Sequence, residues 1–271
     1  MKHVICYSGG HSSALVAIEV ARKFGTADLV LLNHDINLNV ESADIKRFKK
    51  EVAEYLNIPI SYANIADLPV EQIPDQFDVC IKANAFKVGT GTELCTSRLK
   101  TEPFMKWLKK NHPDKDCIIY YGFDKNETAR IQRRSGIMGG LGYKTDYPLA
   151  LWQNRTIDST LEIGISPPMQ YESFKHANCI GCLKAGKQHW YIVYCQRPDI
   201  FDKAKQTEDK IGYSIIKDVY LDELEPIFDK MKNSGISTTE HTKGVTFWAS
   251  VRAAGISTFP DDYNKPCECI F

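Results

Sequence analysis

His3-Val4-Ile5-Cys6-Tyr7-Ser8-Gly9-Gly10-His11-Ser12-Ser13-Ala14-Leu15-Val16-Ala17-Ile18 begins as an apolar run, turns at a glycine pair and continues as an amphipathic helix. His3 to Tyr7 has the length and continuity of a strand buried on both faces, while Ser12 to Phe24 puts Leu15, Ile18 and Ala21 on one helical face. The glycines let the backbone turn tightly and aim several N–H groups at one point, where the helix N-terminus adds positive potential. Ser8, Ser12 and Ser13 supply hydroxyl donors and His11 a further one, so Ser8 to Ser13 reads as a phosphate loop. It has neither the Gly-x-Gly-x-x-Gly dinucleotide spacing nor the Gly-x-x-x-x-Gly-Lys-Ser/Thr spacing of P-loop NTPases, and its bland alternative is a serine-capped strand-to-helix turn.

Outward from this turn the pattern repeats. Leu29 to Asn33 reads as a second strand, followed by a helix that Ser42 can cap, with Ile45, Phe48, Val52 and Leu56 three or four residues apart. Pro59 to Ala63 and Cys117 to Tyr121 read as further strands, Glu102 to Asn111 and Asn126 to Ser135 as helices. Continuous apolar strands alternating with amphipathic helices predict an α/β, doubly wound, mostly parallel sheet joined by right-handed crossovers. From about Tyr147 the pattern becomes helical, broken at Pro167-Pro168 and Cys179 to Cys182. The expectation is a nucleotide-binding α/β domain over residues 1–150 and a helical C-terminal region over 151–271. Such sheets bind ligands at their carboxyl edge, where Asn33, Asp35 and Gly122 fall.

Lys plus Arg and Asp plus Glu number 34 each among 271 residues, which removes bulk electrostatic capture of nucleic acid or anionic membrane as a reading. Hydrophobic residues at 43% and charged residues at 25% fit an ordinary globular chain, with no run long enough to span a membrane. Because no signal-peptide pattern precedes the first strand, a cytoplasmic location is expected. Nine cysteines then read as core residues, metal ligands or redox groups rather than structural disulfides. Cys6, Cys80, Cys117 and Cys195 fall in strand or helix patterns and read as core. Cys179-Ile180-Gly181-Cys182 can turn two sulfurs onto one metal; Cys95, Cys267 and Cys269 are candidates to complete it, with His176 and His189 as outside options.

The loop resembles the Ser-Gly-Gly-x-Asp-Ser pyrophosphate loop of the adenine-nucleotide α-hydrolase superfamily, and especially that of the phosphoadenosine phosphosulfate (PAPS) reductase family, with Ser12 in place of the Asp. Cys95-Thr96-Ser97-Arg98-Leu99-Lys100-Thr101-Glu102-Pro103 is similar to that family's Cys-x-x-Arg-x-Lys-x-x-Pro segment. Gly122 through Glu127 to Arg130 is similar to its Gly-x-x-x-x-Glu-x-x-Arg segment, and Glu268-Cys269 to the start of its Glu-Cys-Gly-x-His tail.

The resemblance implies an adenine nucleotide (ATP, adenosine phosphosulfate or PAPS) at Ser8 to Ser13, with Mg²⁺ accompanying a triphosphate, and anion contacts from Arg98, Lys100 and Arg130. It implies a nucleophile at Cys269. It also implies a [4Fe-4S] cluster on Cys95, Cys179 and Cys182, with Cys267 as the candidate fourth ligand; structural zinc is the alternative. Two reactions fit: reduction of a sulfonucleotide with a thiol reductant protein, or ATP-dependent transfer of sulfur from a donor to an acceptor such as a nucleic acid. A non-catalytic nucleotide sensor with structural zinc is the third reading.

Overall fold

The computed structural model describes residues 1–89, 91–177 and 179–257. Strand β1 (Lys2–Cys6) leads through the glycine turn into α1 (His11–Phe24), then β2 (Leu29–Asn33), α2 (Ala43–Leu56), β3 (Ile60–Tyr62) and α3 (Gln76–Ala83). A short helix α4 (Leu94–Thr96) widens into one π-helical turn, Ser97–Thr101, before α5 (Glu102–Asn111); β4 (Cys117–Tyr120), α6 (Thr128–Gly140), β5 (Lys144–Asp146) and α7 (Pro148–Leu151) follow. The C-terminal helices are α8 (Lys187–Gln196), α9 (Pro198–Ile211), α10 (Leu221–Asn233) and α11 (Gly244–Ala253).

The five strands form one parallel sheet in the order β3-β2-β1-β4-β5, with Ile5 opposite both Leu31 and Tyr120. The expected doubly wound sheet is therefore present. Period-two alternation divides the strands between two cores: Ile5, Tyr7, Leu31 and Tyr120 pack under α1 and α2, whereas Val4, Cys6, Ile119 and Tyr121 pack with Phe104, Leu108 and Met138 of α5 and α6. After β1 the chain crosses the first face toward β2, and after β4 it crosses the opposite face toward β5. The carboxyl ends of β1 and β4 are thus the point where the strand order reverses, the usual ligand crevice of such sheets.

A third core joins α8 to α11 and also takes Val40, Phe77, Cys80 and Leu94, while Ile157 and Ile165 pack into the sheet. Packing therefore crosses residue 150 in both directions. Cys6, Cys80 and Cys117 are buried, and burial pushes their thiols up to about 12, about 12 and about 11. Cys195 is half-buried against the C-terminal core. No helix among the described residues is long and apolar enough to cross a membrane.

Candidate functional site

Gly9 adopts φ +85°, and a Cβ there would lie 2.8 Å from Cγ and Cδ of Lys49, so both backbone conformation and space call for glycine. Gly10 occupies the N-cap of α1 in extended conformation with no side chain to cap the helix. The first-turn N–H groups of a helix have no intrahelical acceptor, and here the His11 N–H donates to the Tyr171 hydroxyl at 3.0 Å. The Ser12–Ser13 peptide, with the Ser13 N–H, stands beside Gly122, whose Cβ would come 3.1 Å from Ser12 C and Ser13 N. Glycine at the end of β4 thereby keeps the first turn of α1 open. The Ser13 hydroxyl turns back to the Gly10 carbonyl at 2.8 Å and receives a hydrogen bond from Ser8 Oγ at 3.3 Å.

Beside this turn lies a cleft of about 280 Å³ lined by Ser8, Gly10, Ser12, Ser13 and Gly122, by Lys100, Phe123, Glu127 and Arg130, and by Tyr171, Lys175, His176 and Ala177, with Cys6 at its base. It occupies the β1/β4 crevice. Three cations, Lys100, Arg130 and Lys175, face it against one carboxylate, Glu127. Glu127 is bonded to Arg130, whose guanidinium carbon sits 4.4 Å above the Phe123 ring, so a planar cation is held at the cleft wall. Arg134 is buried, its guanidinium 5.4 Å from the Tyr121 ring centre, and Arg133 is exposed.

Arg98 does not join Lys100. Two residues apart on a helical stretch, the side chains leave on different faces. Arg98 is exposed and pairs with Glu102 at 2.6 Å, while Lys100 enters the cleft from the π-helical turn. His11 is also turned away: its Nε2 accepts the Thr160 N–H at 3.2 Å, and burial lowers its pKa, which favours the neutral acceptor form. Asn33 and Asp35 lie behind the loop rather than in the cleft. Asn33 is buried and donates to the Tyr7 carbonyl at 2.5 Å, and Asp35 pairs with Lys46 at 3.1 Å.

The charged group behind the loop was not legible in the sequence. Lys49, almost fully buried on α2, pairs with Glu41 at 3.0 Å and reaches Asn33 Oδ1 at 3.4 Å, its stem supporting Gly9. Burial lowers its pKa, with Glu41 opposing the shift. Tyr171 and Lys175 were missed too. They come from a 3-10 turn, Met169–Glu172, and the loop after it, about 160 residues beyond the glycine pair, where no spacing rule reaches.

The cysteine segments converge on α3. Gln76 Nε2 donates to the carbonyls of Ile180 and Gly181 at 2.9 and 3.2 Å, Lys184 pairs with Glu93 at 3.3 Å, and the Cys80 thiol lies at the Cys95 backbone. Gly181 turns at φ +73°, and a Cβ there would lie 2.6 Å from Ile200. Cys95 and the Cys179–Cys182 turn are thus strapped to one helix. Their three sulfurs do not all lie within 4.8 Å of one another, whereas Zn–S bonds of about 2.3 Å in a tetrahedron require about 3.8 Å between sulfurs. Among the described residues, these three thiols do not by themselves form a trio close enough for a single zinc ion. Cys267 and Cys269 lie outside the described residues.

Among the described residues, three ligand atoms do come within that distance at His176, His189 and Glu240. No family model, curated protein or solved structure matches the chain.

Proposed function

We propose that the chain is an enzyme of the sulfonucleotide-reductase kind, holding an adenine nucleotide by its phosphates in the β1/β4 cleft. The observation that supports this most is the convergence there of a glycine-lined helix N-terminus with Lys100, Arg130 and Lys175, drawn from four separate parts of the chain. The adenine specificity and the sulfur chemistry rest on the sequence resemblance.

In this reading the Ser12 and Ser13 N–H groups and the three cations neutralise the phosphates, and Glu127 keeps the Arg130 fork in plane. A thiolate attacks the sulfur of the phosphosulfate, the S–O bond to phosphate breaks, and charge developing on the departing phosphate oxygen falls on Lys100 and Arg130. The enzyme thiosulfonate is then attacked by a dithiol reductant protein, which releases sulfite and becomes the disulfide. A cluster, where present, would be held by Cys95, Cys179 and Cys182 and would supply charge stabilisation near the substrate. Cys269 is the candidate nucleophile.

The test is turnover of PAPS by anaerobically purified protein with a thioredoxin-class reductant. Sulfite and adenosine 3′,5′-bisphosphate should form one for one, and Cys269→Ser should bind PAPS but release no sulfite. If ATP binds instead and is split to AMP only when a sulfur acceptor is added, the protein is a sulfurtransferase; if no adenine nucleotide binds, the proposal fails.

A further inference from the structure

His176, His189 and Glu240 come from three segments with no sequence spacing in common, and their ligand atoms lie within 4.8 Å of one another. His189 Nδ1 is 2.7 Å from one oxygen of Glu240, and His176 Nε2 is 3.8 Å from the other. Two imidazoles and a carboxylate are a donor set for borderline first-row divalent ions, and the catalytic-type zinc site uses three such ligands plus a water. With bonds of about 2.0–2.1 Å, tetrahedral ligand atoms sit about 3.4 Å apart. The two imidazoles face different oxygens of one carboxylate, so an ion held through a single oxygen requires the Glu240 carboxyl to rotate within the 4.8 Å over which the three ligand atoms are gathered.

The three groups are also held for the task. His189 is the third residue of α8, buried against Phe174 at 5.2 Å between ring centres. Glu240 is fixed at both ends: its N–H donates to the Ser173 carbonyl at 2.8 Å, and its second oxygen accepts the Lys175 N–H at 2.9 Å. Gln188 pins the same loop through the carbonyls of Thr239 and Thr242. A ligand carboxylate oriented by a backbone N–H on a rigid loop is what metal sites require of the residues around them.

We propose that His176, His189 and Glu240 bind one divalent transition-metal ion of the zinc class, with water completing the coordination, at the margin of the cleft that His176 lines. The ion ties the Lys175–Ala177 wall of the cleft to α8 and to the loop carrying Glu240. Among the described residues no cysteine belongs to the group.

Cobalt(II) is the probe, added to the whole chain and to a Cys179→Ser/Cys182→Ser variant that removes thiolate binding, with circular dichroism confirming that each variant is folded. The expected result is one cobalt retained per chain by the double variant, with visible d–d absorption and no near-ultraviolet thiolate band, and at least that one cobalt by the parent. Zinc should displace the cobalt and raise the Tm. Glu240→Gln and His176→Ala should each weaken cobalt binding by at least the 10- to 100-fold that losing a supporting residue costs. If the cysteine variant retains no cobalt, or if folded Glu240→Gln and His176→Ala bind it as tightly as the parent, the site does not exist and the trio is a buried ion pair.

Discussion

At the residue scale, single side chains, or their lack, set the loop. Gly9 meets the Lys49 stem, and that stem is not free to swing because its ammonium is tied to buried Glu41. Gly9→Ala should therefore cost the left-handed strain of about 1–2 kcal/mol together with displacement of Lys49. A loss of about 2 kcal/mol or more in urea unfolding is expected; a neutral change would remove Lys49 as the support of the loop. Lys49→Met should cost about 3 kcal/mol, since it strips a buried carboxylate of one partner. Lys46, 2.8 Å from Glu41, keeps the loss from being larger. The glycine pair was readable because its role is local. Lys49 was not, because a lysine on an amphipathic helix reads as solvated until its buried partners are known.

At the element scale, the strand–turn–helix beginning at β1 was legible because continuous apolar strands and three- or four-residue spacing are local signals. Helix α2 starts behind Ser42 as expected, the Ser42 hydroxyl accepting the Asp44 N–H at 3.3 Å. Strand β5, Lys144-Thr145-Asp146, was missed because a three-residue polar edge strand has no apolar run to announce it. Helix α3 was also missed, although its Asp75 capping box is written in the chain. The pairing of Arg98 with Lys100 failed as geometry: the π-helical turn sends only Lys100 into the cleft. The turn carrying Tyr171 closes over α1, and Tyr171→Phe should release the His11 N–H. Loss of about 1 kcal/mol and faster amide exchange at His11 are expected. Unchanged exchange at that amide would mean the hydroxyl contributes nothing to holding the helix start.

At the scale of the whole molecule, a parallel sheet whose order reverses between β1 and β4 brings the ends of the chain's first and fourth strands to one crevice, and the C-terminal half supplies its far wall. That wall could not be read from sequence, since it depends on long-range packing around a core shared across residue 150. The same core holds Glu208, which accepts the N–H groups of Ile215 and Leu221 at 2.6 and 2.7 Å and thereby joins α9 to α10. Burial raises its carboxyl from 4.5 to about 7, against the lowering by those hydrogen bonds. The folded chain therefore keeps a proton that the unfolded chain loses, and this stabilisation is full below pH 4.5 and falls away as pH rises through about 7. Relative to Glu208→Gln, the parent should lose stability between pH 5 and pH 8 in denaturant titrations; a difference independent of pH would show that Glu208 does not titrate in that window. The central claim, that the β1/β4 cleft holds nucleotide phosphates, is tested most directly by calorimetric titration of PAPS into the parent chain and into Lys100→Ala in parallel. Saturable one-to-one binding by the parent is expected, weakened about tenfold or more in the variant by loss of one charge-assisted contact; absence of binding, or equal affinity in the two proteins, would rule out phosphate binding in this cleft.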